Sequence, residues 1–265
     1  MKKTLQIGNG IALGSTLFMN YLSNTGAMNG ETIGSISDGL RSLFTPAGYA
    51  FAIWGLIYLL LLGFAIYQGR SLFKKDLNTD FVLTIGPWFI ISCIANCAWI
   101  LTWMYEFTGL SILAMFLLLF SLLKIVVKND MELWDAPIPV IIFLWWPFVV
   151  YAGWITVASI ANISAYLVKI QWSGWGISEV TWTLFLVGIA TAVNLIVTWT
   201  RNMREFALVG AWALGAIAVA NWDSQEIIQW TCLIAAAILV GSALIHALKN
   251  YKTNPINKTN QYFKS

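Results

Sequence analysis

Eight long apolar runs, separated by short polar stretches, organise the chain, and within each run the hydrophobic positions are continuous rather than alternating. A helix that crosses a bilayer needs about 20 mainly apolar residues, whereas the strands of a membrane barrel alternate apolar and polar positions. The runs predict helices over about 4–22, 46–68, 81–104, 109–127, 139–168, 178–200, 206–222 and 226–248. The expected fold class is all-α, a polytopic transmembrane bundle of about eight helices. Pro46 falls in the first turn of the second helix, where proline is tolerated. The stretch 23–45, with Glu31, Asp38 and Arg41, is long for a connection in a compact bundle and reads as a lid or binding loop. The first run has two readings. Lys2 and Lys3 ahead of it and Ala27 behind it fit a signal peptide cleaved after Ala27. It also fits a first helix, in which Gly10 and Gly14 form a small-residue pair for close helix packing; we adopt the helix. The stretch from 249 to 265 is a polar tail.

The fifth run carries an ordered polar minority. Tyr151, Trp154, Ala158 and Asn162 follow one another at steps of three, four and four, so they share one helix face. Ala158 opens a notch between a large aromatic ring and an amide. Other uncharged polar residues sit within the runs: Asn96, Thr102, Thr156, Ser159, Thr191 and Asn194. Their ordinary role is hydrogen bonding between helices, at about 0.6 kcal/mol each. No Asp, Glu, Lys or Arg lies deep in a run, which argues against an ion-coupled transporter and against a protease built on an aspartate pair.

Composition and charge sharpen the picture. The chain is 59% hydrophobic and 10% charged, against roughly 25% charged in an average soluble domain. Its net charge of +3 does not point to nucleic acid, because the basic residues sit in short loops and tails. With eight crossings and both termini inside, only Arg41 and Lys169 of the 15 lysines and arginines fall outside. That is the asymmetry of a positive-inside membrane protein, and it puts 23–45 on the outer side. Cys93, Cys97 and Cys232 form no metal-ligand pattern and read as packing residues. The one histidine, His246, lies in the last turn of the eighth helix, where the helix dipole favours it. No nucleophile–base set is visible, so no enzyme is expected. Of the 15 tryptophans, Trp134, Trp145, Trp172, Trp175, Trp199, Trp222 and Trp230 stand near helix ends, as in an interfacial belt. Trp54, Trp99 and Trp154 stand within the runs. With Asn96 and Asn162 they fall in the outer half, below the long loop. An aromatic box with a few amides under a lid suits a flat, largely apolar ligand.

These residues carry a resemblance. Thr45 to Ala65 reads TPAGYAFAIWGLIYLLLLGFA, the third run holds Asn96-Cys-Ala-Trp99, and the fifth holds Trp154-Ile-Thr-Val-Ala158-x-x-Ala161-Asn162. Three such motifs, in this order on the second, third and fifth helices, resemble the TspO/MBR family, the tryptophan-rich sensory proteins related to the mitochondrial translocator protein. The likeness covers about residues 1–170 as a five-helix core with a long first loop, and leaves 171–248 as three additional helices. Ala47, Tyr49, Ile100, Val150 and Val157 depart from the family pattern. What the resemblance implies is a cavity between helices closed by the first loop, and a flat hydrophobic ligand of the porphyrin or tetrapyrrole class, haem included, with no cofactor required. Carried over by position, its lining is Trp54, Tyr58, Asn96, Trp99, Tyr151, Trp154, Ala158 and Asn162. The implied partners are the lipid bilayer and that small molecule, and the expected location is a bacterial cytoplasmic membrane. Two other classes stay open: a facilitative transporter completed by the last three helices, and a structural or partner-binding protein. For the latter, Ala211/Gly215 and Ala237/Gly241 would provide tight helix contacts within the chain or in a homodimer.

Overall fold

The computed structural model describes residues 1–74, 77 and 79–250. All eight expected helices form: α1 (Lys2–Asn24), α3 (Ile53–Gly69), α5 (Trp88–Met104), α6 (Thr108–Lys128), α8 (Trp146–Lys169), α9 (Glu179–Arg201), α10 (Arg204–Ala220) and α11 (Glu226–Lys249). Three short helices accompany them: α2 (Ile33–Gly39), α4 (Phe81–Ile85) and α7 (Ile138–Val140). No strand occurs among the described residues. Five helical stretches are long and apolar enough to cross a membrane: Gly48–Leu72, Thr108–Lys128, Ile138–Lys169, Glu179–Arg201 and Glu226–Lys249. Trp88–Met104 is apolar but shorter. The outward faces of α3, α6, α9 and α11 expose leucine, isoleucine and phenylalanine, among them Leu59, Ile66, Phe116, Phe185, Ile196 and Leu244, the surface a lipid-embedded bundle presents. Of the basic residues placed inside, Lys75, Lys252, Lys258 and Lys264 lie outside the described residues, as does the tail beyond Asn250.

α1 is amphipathic in reverse. Gln6, Asn9, Leu13, Thr16, Asn20 and Ser23 are buried, while Ile7, Ile11, Phe18 and Tyr21 are exposed. Where water is absent, polar groups must find partners inside the protein. Gln6 donates to the Gln68 carbonyl and to Ser71 Oγ, Asn9 Nδ2 donates to Gln68 Oε1 at 2.9 Å, and Asn20 Nδ2 to Asn96 Oδ1 at 3.2 Å. The polar stripe thus turns α1 towards α3 and α5. This corrects the expected use of Gly10 and Gly14, which face outward with nothing within 4 Å of a built Cβ. The close approach is at Gly8, where a Cβ would lie 3.0 Å from Ile90.

Two expected helices are interrupted. The run 81–104 breaks at Gly86, whose φ of 57° leaves the right-handed helix, and at Pro87, which lacks an N–H. Pro46 lies outside its helix, because the chain there docks on α10: Ala47 N donates to the Ala216 carbonyl at 3.0 Å, and the helix begins only with a 3-10 turn at Gly48–Ala52. A π turn, Ile141–Trp145, joins α7 to α8.

α8 sits at the centre, packed against α3, α6, α9 and α10. Gly153 permits the α8–α10 contact, since a Cβ there would lie 3.3 Å from Phe206 backbone atoms. Of the second small-residue pair, Ala237 is exposed and Gly241 has open space where a Cβ would stand, so this chain makes no tight contact there. Of the polar residues expected to bond between helices, Asn96 and Asn162 do so. Thr102, Thr156, Ser159 and Thr191 donate to the carbonyl one turn back in their own helix, at 2.7–2.8 Å, because that acceptor is always within hydroxyl reach. Asn194 also bonds within α9, to the Ala190 carbonyl. Trp145 departs from the interfacial belt: it is buried at 2% exposure, against Trp134. His246 is buried too, with Nε2 3.2 Å from Asn202 Oδ1.

Candidate functional site

The loop after α1 folds over one end of the bundle. Thr32 and Ser35 make a reciprocal capping box, Ser35 N donating to Thr32 Oγ1 at 3.1 Å and Thr32 N to Ser35 Oγ at 2.8 Å, which starts α2 in the middle of the loop. The far half of the loop is tied to α9 and to the end of α10. Arg41 donates to the Ala220 carbonyl, Leu43 N to Glu179 Oε1 at 2.9 Å, and Asn221 Nδ2 to the Leu43 carbonyl at 3.0 Å. Just beyond it, Trp212 Nε1 donates to the Ala50 carbonyl at 3.2 Å.

Beneath this lid the expected aromatic residues come together. Tyr58, Trp54, Trp99 and Trp103 form a stacked row, with ring centroids 5.5, 5.9 and 6.1 Å apart and interplanar angles of 19°, 26° and 23°. Trp154 and Tyr151 from α8 meet Trp54 edge-on, at 6.4 and 5.7 Å. Offset stacks and edge contacts at such separations are favourable for aromatic quadrupoles, about 0.5–1.5 kcal/mol per pair. The lid holds the end of the row, because Trp103 Nε1 donates to the Ile33 carbonyl at 3.3 Å.

An apolar cavity of about 40 Å³ lies against these rings. Of the eight residues expected to line it, Trp54, Trp99, Trp154, Ala158 and Asn162 do. Tyr58, Asn96 and Tyr151 do not line it: Tyr58 ends the stacked row, and Asn96 Nδ2 donates to the Tyr151 hydroxyl at 2.7 Å. The amides are engaged with protein rather than facing a guest: Asn162 Oδ1 accepts from Trp99 Nε1 at 2.9 Å, and its Nδ2 donates to Ser111 Oγ at 2.8 Å. Two donors are unused. The indole Nε1 atoms of Trp54 and Trp154 are buried without a hydrogen-bond partner, an arrangement that costs about 1–3 kcal/mol per group.

The lining also includes residues the sequence reading missed. Trp103 stands one helical turn after Trp99, and Ala161 and Ala165 extend the small-residue face of Ala158, so a stricter reading of the 3.6-residue period finds them. Phe51 and Met115 line it as well, and Ile33, Ser37, Thr45 and Pro46 come from the lid. For the lid residues no periodic signal exists. Among the described residues no group of three or more His, Cys, Asp or Glu is placed to hold a metal.

The model of the TSPO-like protein family matches residues 6–245, a span that takes in α9, α10 and most of α11 as well as the first five long helices. Comparison with curated proteins and with solved structures finds no match.

Proposed function

The chain belongs to the family of TSPO-like proteins, and from that premise we propose that this integral membrane protein binds a flat hydrophobic molecule of the porphyrin class between α3, α5 and α8, for sensing or translocation. One observation carries the reading: a row of parallel rings, crossed by Trp154, beside a small apolar cavity under a tethered lid, with two of the lining tryptophans, Trp54 and Trp154, carrying unpartnered indole donors. A conjugated macrocycle can stack where the rings now stack on one another, and its polar edge atoms can accept from Trp54 and Trp154.

The cavity of about 40 Å³ defines a closed state, since pockets for drug-sized ligands are roughly 300–1,000 Å³. Entry therefore requires the lid to lift and Trp54 to part from Trp154. Binding is limited by that opening, and so is slower than diffusion. The cations support an orientation with both termini cytoplasmic and the lid outside: Lys2, Lys3, Arg70, Lys74, Lys124, Lys128, Arg201, Arg204 and Lys249 belong to one side, Arg41 and Lys169 to the other.

The test is protoporphyrin titration of the protein in nanodiscs, followed by tryptophan quenching. Ala158→Phe fills the cavity and is expected to weaken binding about tenfold or more. Trp154→Phe removes one unpartnered donor, leaving the fold intact and reducing affinity severalfold. Unchanged quenching in both variants would mean that the rings are a structural core and that the ligand, if any, binds elsewhere.

A further inference from the structure

A second pocket opens at the opposite end of the bundle, between the α6–α7 loop, the α9–α10 turn and the end of α11. It measures about 480 Å³, and its lining includes Glu132, Trp134, Trp145, Asn202, Arg204 and His246. Its walls are built with some care. Glu132 and Asn202 both hold left-handed backbone, with φ of 63° and 60°, a conformation that non-glycine residues adopt at a cost and that clusters at functional sites. Asn202 Nδ2 donates to the Glu132 carbonyl at 3.0 Å, and its Oδ1 meets His246. The π turn Ile141–Trp145 supplies Trp145, whose ring stands at 87° to that of Trp134 with centroids 5.1 Å apart. Two perpendicular aromatic planes, one buried and one half exposed, make a corner open to a cation.

The polar atoms here have opposite needs. Glu132 Oε1 is a buried acceptor without a partner, while Arg204 Nε and Trp145 Nε1 are buried donors without partners. A simple anion would satisfy the donors and leave the carboxyl unmet, and a simple cation would do the reverse. Unmet buried groups of both kinds around one opening call for a guest with both charges. From this juxtaposition we infer that the pocket binds a zwitterion of the phospho-alkylammonium type. Its ammonium sits in the Trp134–Trp145 corner beside Glu132, and its phosphate on Arg204 and the Trp145 N–H. The same chemistry is carried by a membrane lipid headgroup and by a small soluble phosphodiester.

Protonation gives a second readout. Burial, with Glu205 nearby, raises the Glu132 carboxyl to about 8, partly offset by Arg204. Asp135 on its own loop and His246 on α11 line the same pocket. Below about pH 8 Glu132 is mostly protonated, so an arriving ammonium must displace a proton. Affinity for the zwitterion therefore rises with pH, and binding releases protons.

The experiment is calorimetric titration of the full chain in phosphatidylglycerol nanodiscs with glycerophosphocholine, choline or glycerol phosphate. Glycerophosphocholine is expected to saturate, with the two single-charge probes weaker by about tenfold or more. Its affinity should rise up to about thirtyfold between pH 6.5 and 9, with a proton release seen as a buffer-dependent heat. Glu132→Gln and Arg204→Gln should each weaken it about tenfold, and Glu132→Gln should also abolish the pH dependence. Trp134→Ala, at a half-exposed position that leaves the core intact, should weaken it about threefold. Nanodiscs containing phosphatidylcholine separate the sources: a weakened soluble probe supports the lipid headgroup as guest, and an unchanged one supports the soluble phosphodiester. The proposal is overturned if glycerophosphocholine binds no better than choline or glycerol phosphate. It is also overturned if the variants, with parental thermal unfolding, bind as the parent does.

Discussion

At Gly210 the absence of a side chain has a measurable consequence. A Cβ there would lie 2.4 Å from Asn194 Oδ1, so α9 and α10 meet only because one residue is bare and the other folds its amide back onto the Ala190 carbonyl. Gly210→Ala is expected to destabilise the bundle by about 1–3 kcal/mol in unfolding from detergent micelles. Adding Asn194→Ala should restore most of that loss, because the obstructing amide is then gone. A double mutant no better than Gly210→Ala alone would show that helix spacing, not this one contact, sets the cost. Asn194 is also a place where the sequence misleads: an amide in an apolar run suggests a bond across to another helix, and the amide instead bonds within its own.

The lid is the element that joins the two halves of the chain. Residues 41–50 accept or donate bonds at Glu179 of α9, at Trp212, Ala216 and Ala220 of α10, and at Asn221 just beyond it. The last three helices therefore do not stand apart from the first five. Two of them, α9 and α10, hold the cover of the aromatic cavity, α11 packs on both, and α10 packs on α8 through Gly153. Asn221→Leu combined with Trp212→Phe removes two of these ties. At about 0.5–1.5 kcal/mol per hydrogen bond, tryptic cleavage at Arg41 should speed up roughly five- to 160-fold, and protoporphyrin association should accelerate with it. Cleavage at the parental rate would mean that the lid is held by α2 and the Trp103–Ile33 bond instead. The existence of a lid was legible in the length of 23–45; its attachment was not, because a tie between residues some 180 positions apart leaves no local pattern.

For the whole molecule, the buried carboxyl at the end away from the lid predicts how stability varies with pH. The folded state holds Glu132 protonated up to about 8, against an ordinary value of 4.5. Between those values the folded chain binds more protons than the unfolded one, so this group's contribution to stability falls as pH rises through that window. The melting temperature of the parent is expected to drop from pH 5 to pH 8, and Glu132→Gln should flatten the slope. A slope that survives the substitution would assign it to other groups. No charge lies deep in the apolar runs, and nothing in the sequence pattern marks a site at this end. Glu132, Arg204 and His246 look like ordinary loop and helix-end residues until the fold folds them around one opening.

The hydrophobic runs alone determined the class of the protein, the eight long helices and three of the cavity's aromatic residues, Trp54, Trp99 and Trp154, because burial in lipid and the 3.6-residue period act locally and leave a readable pattern. The stacking of those rings into a nearly filled cavity, the inward polar face of α1, the ties of the lid to α10 and the charged pocket at the far end were decided only by tertiary structure. Each depends on which side chains meet across distant segments. In a bundle where apolar faces gain little from one another, that choice is made by close backbone approach and by the need of every buried polar atom for a partner.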